Sequence, residues 1–466
     1  LDPLRIAAAP GATSDVVVRG RPEEKELTLE SLQKALPGAY QQDDHSNAAP
    51  AFSASTVAIV KRDPVNNESN SNIDTGAKAP IASNNSISLA RAPQEPTSGI
   101  AQDITEIIMN ARLGDMHAQN ALGEMYKDGR GVHQDYEAAM DWYLKSAEQG
   151  LACAQFNVGD MYDYGRGIPV DYTKAMVWFR KAAAQDYAPA QCSIGQLYEN
   201  GQGVMQDFHE AMKWYIKAAD QGDATAQTII GYLYCNGHGV AQDYSQAMNW
   251  FVKSANQGLA MAQFHIGNLQ EKGLGVPQDY SSAMDWYLKA ANQGHAAAQI
   301  NIGMLYHQGH GVPQDYSSAM DWYLKAANQG HAAAQNNIGM LYHGGHGVSK
   351  DYSSAMGWYL KAAEQGYAAA QNSIGMLYHG GHGVPQDYSS AMEWYLKAAN
   401  QGCASAQGHI GHLYEKGLGV PQDYSQAMNW YRKAADHGNG TAQNNVAAMT
   451  YDERLGVSKV IYIEGD

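Results

Sequence analysis

Histidine pairs recur in the sequence and are the residues best suited to metal chemistry. Each pair has the pattern His-x-x-His, and the pairs are His307/His310, His343/His346 and His379/His382. Neutral imidazole is a common metal ligand, but one pair supplies two ligands and a zinc site uses at least three. Packed helices lie about 8–10 Å apart, whereas a Zn–N bond measures about 2 Å. The spacing therefore predicts no metal ligands and no cofactor, with a histidine-rich metal-binding repeat protein as the alternative function.

Glycine-rich loops are the other candidate for chemistry, because Gly-x-Gly loops can hold phosphate. The pattern Gly309-x-Gly311 recurs in nine loops of the chain. A phosphate loop follows a strand and precedes a helix, whereas here a helical pattern precedes each loop. No nucleophile and base form a recognisable pair, so we expect no catalytic residues and no enzyme activity. A hydrolase is the least favoured alternative.

The net charge restricts the kinds of partner that the chain can bind, and the cysteine content bears on its cellular compartment. The formal net charge is -16 without any basic cluster, which argues against nucleic acid as a partner. No apolar run reaches the roughly 18 residues that a membrane span needs. The four cysteines, Cys153, Cys192, Cys235 and Cys403, fall in different positions of the repeat described below. We expect free thiols and a cytoplasmic protein, with the oligomeric state open.

A strict period of 36 residues organises the elements that would position these side chains. All nine tryptophans follow it, from Trp142 to Trp430, and Gln314–Gln335 repeats Gln278–Gln299 letter for letter. Apolar residues at helical spacing predict a helix B over 315–329, with Asp315 as its N-cap. A shorter helix A is predicted over 297–306. Such a period is typical of a helical solenoid, in which each unit buries its apolar face against its neighbours.

The repeated pattern resembles the Sel-like repeat (SLR, HCP-like) family, which is related to the tetratricopeptide repeats. The matching residues run from Ala298 to Gly330 and read A-x-x-x-IG-x-LY-x-x-G-x-GV-x-QDY-x-x-AM-x-WY-x-KAA-x-QG. The resemblance implies an all-α, right-handed α-solenoid whose A helices line the concave face. It also implies a scaffold or adaptor that binds other proteins. Some secreted members carry paired cysteines in each hairpin, and this chain departs from that pattern.

The rest of the chain falls outside the repeat. We interpret residues 1–39 as the remnant of an upstream domain. Residues 40–99 are rich in Ser, Asn, Ala and Pro and are expected to form a disordered linker. The solenoid is assigned to 100–450, with about nine repeats and capping helices, and residues 451–466 form a C-terminal tail.

We predict that a protein or peptide segment binds in the concave groove. On helix A, the positions opposite the predicted buried stripe are those of Ile300, Met304 and His307, and they vary along the array. Early units place acidic residues there, whereas later units place methionine and histidine. Methionines suit a binding surface because they repack around different partners. The predicted groove residues are Tyr232, Ile300, Met304, His307, Met340, His343, Met376 and His379.

Overall fold

The computed structural model describes residues 98–454, with side chains described over 104–450. Within 98–454 the chain forms twenty helices and no strand. The expected upstream remnant (1–39) and nearly all of the expected linker (40–99) lie outside the described residues. So does the end of the tail, 455–466.

The helices alternate between the two predicted types, so that even-numbered helices are A helices and odd-numbered helices are B helices. In chain order they are α1 Ser98–Arg112, α2 Met116–Asp128, α3 Tyr136–Glu148, α4 Ala152–Tyr164, α5 Tyr172–Ala183, α6 Ala188–Asn200, α7 Phe208–Asp220, α8 Ala224–Asn236, α9 Tyr244–Ala255, α10 Ala260–Lys272, α11 Tyr280–Asn292, α12 Ala296–Gln308, α13 Tyr316–Asn328, α14 Ala332–Gly344, α15 Tyr352–Glu364, α16 Ala368–Gly380, α17 Tyr388–Ala399, α18 Ala404–Lys416, α19 Tyr424–Asp436 and α20 Gly440–Arg454.

The helix ends follow the local sequence signals. Asp315 is the N-cap of α13, as predicted, and its carboxylate accepts hydrogen bonds from the amides of Ser317 (3.0 Å) and Ser318 (3.2 Å). Gly309 ends α12 in the left-handed region, with a φ of 74°. A side chain would strain that conformation, which explains the glycine of each loop.

Each A helix packs closely on the following B helix through a glycine and an aromatic ring. A Cβ added at Gly303 of α12 would lie 2.5 Å from Cε1 of Tyr323 in α13, and Tyr323 is only 2% exposed. The same contact joins Gly339 to Tyr359 and Gly375 to Tyr395. The recurring mid-helix glycine therefore allows this close packing.

Successive units are joined by tryptophan and by glutamine. Trp322 packs against the cluster that α11 and α12 form in front of it, and the ammonium of Lys325 lies 3.4 Å from the centre of its ring. The Nε2 of Gln329 donates to Oε1 of Gln299 (2.9 Å), and Gln299 in turn donates to the carbonyl of Ala291 (3.3 Å). Equivalent glutamine pairs recur along the array and connect each unit to the one before it.

Trp322→Ala should lower the free energy of unfolding by about 2 kcal/mol, because a large aromatic side chain is lost from a half-buried site. Contacts in a solenoid are made between nearest neighbours, so the damage should remain local. Hydrogen exchange should increase in α11–α13 and stay unchanged in α3–α5. A uniform increase along the array would contradict this nearest-neighbour description.

Both ends of the array carry unusual units. Helix α1, which lacks the tryptophan, covers α2 through Ile104, Ile107 and Ile108, as expected for a cap. At the other end α20 continues to Arg454, beyond the expected limit of the solenoid at residue 450. The four cysteines all lie within the described residues and form no disulfide there. Across 98–454, every helix is too short or too polar to traverse a bilayer.

Candidate binding surface

A column of methionines lies on three successive A helices in the second half of the array. Met304, Met340 and Met376 belong to α12, α14 and α16 and stand 36 residues apart. Met376 is 40% exposed, whereas Met304 and Met340 are half-buried. In α18 the equivalent residue is His412, which is also half-buried. These side chains form a partly accessible strip, hereafter the methionine strip, which is defined by Met304, Met340 and Met376.

Two of the predicted groove residues are buried, and the prediction of an exposed position was wrong for them. Ile300 is 4% exposed and packs in a cluster with Ala334 and Ile338 of the next A helix. Tyr232 is 7% exposed, and its ring lies 6.4 Å from that of His265 on the next A helix. Adjacent A helices approach closely enough to cover this side of each other, so helical periodicity alone overestimated the exposed face.

The three predicted groove histidines are half-buried and contact tyrosines. Nδ1 of His343 lies 3.4 Å from the hydroxyl of the core residue Tyr359, and His379 makes the equivalent contact with Tyr395 at 3.5 Å. Burial lowers the pKa of His343 and of His379. Glutamate takes this role in other units: Glu199 accepts a hydrogen bond from Tyr215 at 2.5 Å. His343 and His379 therefore contact the hydroxyl groups of core tyrosines, in addition to being partly exposed at the surface.

The two histidines of each pair contact different neighbours. His307 lies against the next unit, with its ring 6.1 Å from that of His346, while the His310 ring is tilted against that of Tyr280 in the preceding unit, at 4.6 Å. The His382 ring stacks on that of Tyr352, at 4.8 Å. Among the described residues, no group of three or more His, Cys, Asp or Glu side chains is arranged to hold a metal ion.

The acidic side chains of the early A helices are largely paired. Asp160 accepts a hydrogen bond from Arg166 at 2.8 Å, and Glu124 lies 3.7 Å from Arg130. Burial and the neighbouring Asp160 raise the pKa of Asp163 to about 6. The early face therefore carries less free negative charge than its sequence indicated.

Two buried asparagines lie beside the methionine strip, and sequence reasoning missed them. Asn336 is 1% exposed and Asn372 is 9% exposed. Their side-chain amides donate to the sulfur atoms of Met340 (3.5 Å) and Met376 (3.7 Å). Both asparagines occupy the position that Ile300 holds in its own unit. The sequence did contain a signal for them, because asparagine stands at 336 and 372 where another unit has Ile300.

The sequence matches the family model described as the Sel1 repeat over nine consecutive segments. The matched segments are 117–151, 154–187, 188–223, 224–259, 260–295, 296–331, 332–367, 368–403 and 404–439. They extend from the first A helix to the last complete hairpin of the array. The match therefore covers more than half of the chain.

Solved structures of repeat proteins are also similar to this chain. A Sel1 repeat protein from Oxalobacter formigenes is 35% identical with a TM-score of 0.52, over 67% of this chain and 91% of that chain. A protective antigen from uropathogenic Escherichia coli that displays an SLR fold is 34% identical with a TM-score of 0.49, over 77% of this chain and 85% of that chain. None of the curated proteins matches this chain.

Proposed function

Because this chain belongs to the Sel1 repeat family, we propose that it is a non-catalytic scaffold that binds a segment of another protein on the face formed by its A helices. Solenoids commonly use such extended surfaces for binding. The methionine strip is the observation that carries the proposal. The partner is a protein or peptide that presents apolar side chains to Met304, Met340 and Met376.

The composition of the strip supports a binding role because folding does not require methionine there. Early units place Glu124, Asp160 and Gln196 at the same position of the A helix. Met376 nevertheless leaves 40% of its surface accessible to water. Accessible apolar side chains in a row are characteristic of contact sites, and the thioether adapts to different partners.

The packing of neighbouring units supports a groove on the A-helix side. The A helices touch one another: Asn157 in α4 donates to Asn120 in α2 at 2.9 Å, and the rings of His379 and His412 stack at 5.9 Å. By contrast, an open groove of about 880 Å³ separates the B helices α5 and α7. We infer that the array curves toward its A helices, since contact is close on that side and an open groove separates two B helices on the other.

The combined change of Met304, Met340 and Met376 to Glu should abolish binding while leaving the melting temperature nearly unchanged. Three carboxylates on the strip would have to lose their hydration against an apolar ligand, which is strongly unfavourable. The probe is a peptide enriched from a random display library on the wild-type chain. Its affinity for the wild-type chain and the triple variant would be measured by fluorescence anisotropy.

Met205→Glu is the matched control, because Met205 is 89% exposed but lies in a loop away from the strip. This control should retain the affinity of the wild-type chain. Binding that survives in the triple variant would contradict the assignment of the site. Unfolding of the triple variant would show that the methionines are needed for the fold instead.

A further inference from the structure

The buried asparagines beside the methionine strip carry an unmet hydrogen-bonding capacity. The Oδ1 atoms of Asn336 and Asn372 are buried, and neither accepts a hydrogen bond from any side chain or backbone group within the described residues. Buried acceptors without a donor are unfavourable, and native structures contain few of them. Rotating either amide would not help, since the oxygen would then face a thioether sulfur that has no hydrogen to donate.

The fold does not require a polar residue at this position of the A helix. Ile300 occupies it in α12, where it packs among apolar side chains. Phe156 and Phe264 occupy it in two earlier units. Asparagine takes this position in α14 and α16, the same helices that contribute Met340 and Met376 to the strip, and also in α2, where the oxygen of Asn120 accepts a hydrogen bond.

The contact between each asparagine and its methionine is one that a ligand can replace. Each asparagine lies one helical turn from its methionine and donates to the sulfur, which is a weak acceptor. The methionine side chain is unbranched and flexible, so it moves aside at little cost. Its displacement would uncover a complete amide, which can accept a hydrogen bond from a peptide N–H and donate one to a peptide carbonyl.

We propose that Asn336 and Asn372 form a main-chain binding site for an extended peptide segment of the partner, which displaces the thioethers of Met340 and Met376 as it binds. The proposal rests on the proposed function, because it places the ligand on the same strip. Neighbouring helices lie about 8–10 Å apart, and three residues of a polyproline II segment span roughly 9 Å. The two amides therefore match peptide groups three residues apart in an extended ligand.

The double variant Asn336→Ile and Asn372→Ile tests this site with a residue that the chain itself uses at Ile300. Its affinity for the peptide enriched on the wild-type chain should fall at least about tenfold, since two hydrogen-bonding partners are lost. Its melting temperature should be unchanged or higher, because two buried polar groups without a full set of partners are removed. Asn120→Ile is the matched control, since the oxygen of Asn120 already accepts a hydrogen bond from Asn157 at 2.9 Å.

N-methylation of the same peptide tests the main-chain contact directly. Methylation at two backbone nitrogens three residues apart should weaken binding to the wild-type chain and have no further effect on the double variant. If the double variant binds as tightly as the wild-type chain, or N-methylation has no effect, the asparagine site is wrong. In that case loss of binding in the triple methionine variant would still support the proposed function. If the triple methionine variant also binds the peptide as tightly as the wild-type chain, both the asparagine site and the proposed function are wrong.

Discussion

Gly303→Ala should lower the free energy of unfolding by about 3 kcal/mol, although alanine is the better helix former. The new Cβ would lie 2.5 Å from Cε1 and 2.6 Å from Cδ1 of Tyr323, well inside van der Waals contact. The ring cannot move away easily, because Tyr323 is 2% exposed and packed between α12 and the next A helix, α14. Overpacking of this kind in a core costs about 1–3 kcal/mol.

Gly357→Ala is the matched control and should have the opposite sign. Gly357 also lies inside a helix, α15, but it is exposed and a Cβ there would meet no atom within 4 Å. Replacement by alanine should therefore stabilise the protein by about 1 kcal/mol through helix propensity alone. Urea denaturation followed by circular dichroism would measure both variants. A loss of stability in both, or in neither, would show that the contact with Tyr323 is not the cause.

The last A helix of the described array agrees with this explanation. In α20 the position of the recurring glycine is occupied by Ala447. No B helix follows α20 within the described residues, so no aromatic ring packs on that position there. Among the described A helices, α20 alone has alanine at this position, and α20 alone is followed by no described B helix.

The period of the sequence was sufficient to predict the hairpins, because each local signal has one geometric solution. Asp315 suits the N-cap of a helix, Gly309 suits a left-handed backbone conformation, and Gly303 leaves room for a side chain of the neighbouring helix. The structure shows all three, and the Asp315 N-cap lies where the sequence predicted it. These features depend on one unit alone, and the repeat presented the same pattern in unit after unit.

Exposure on the A-helix face was harder to predict, because it depends on how closely neighbouring units approach. A helical wheel places Ile300 and Met304 on the same outward side, yet Ile300 is buried by the next A helix and Met304 is half-buried. The buried asparagines were missed for the same reason. Lateral packing between units is a property of the assembled array, and the pattern within one unit does not contain it.

Acid should destabilise the protein steeply between about pH 6.5 and pH 4, because one buried histidine, His265, and two half-buried ones, His295 and His409, are held neutral in the array. Burial lowers the pKa of His265 to about 3, and it lowers the pKa values of His295 and His409 to about 4. The rings of His265 and His409 stack on Phe251 and Tyr395, each at 4.9 Å. Positive charge nearby acts in the same direction, from Lys272 on His265 and from His379 on His409.

Stability is lost at low pH because the folded protein holds these three histidines in the neutral form. In the unfolded chain these histidines bind a proton near pH 6.5, whereas in the folded chain they stay neutral until about pH 4 or below. Their contribution to stability is therefore complete above pH 6.5 and is lost as the pH falls toward the folded pKa. A difference of one pKa unit corresponds to about 1.4 kcal/mol, so each histidine should contribute on the order of 3 kcal/mol to the loss at pH 4.

Replacement of His265 and His409 by Asn should flatten this pH dependence. Asn301 occupies the equivalent position in its own unit, so the chain already accommodates asparagine there. Urea midpoints measured from pH 7 to pH 4 should fall less in the double variant than in the wild-type chain, whatever the two stabilities are at pH 7. His133→Asn, at an exposed residue, should leave the slope unchanged. If the double variant loses stability as steeply as the wild-type chain, proton uptake by these two histidines does not drive the acid transition, and His295 or carboxylates that titrate in the same range must account for it.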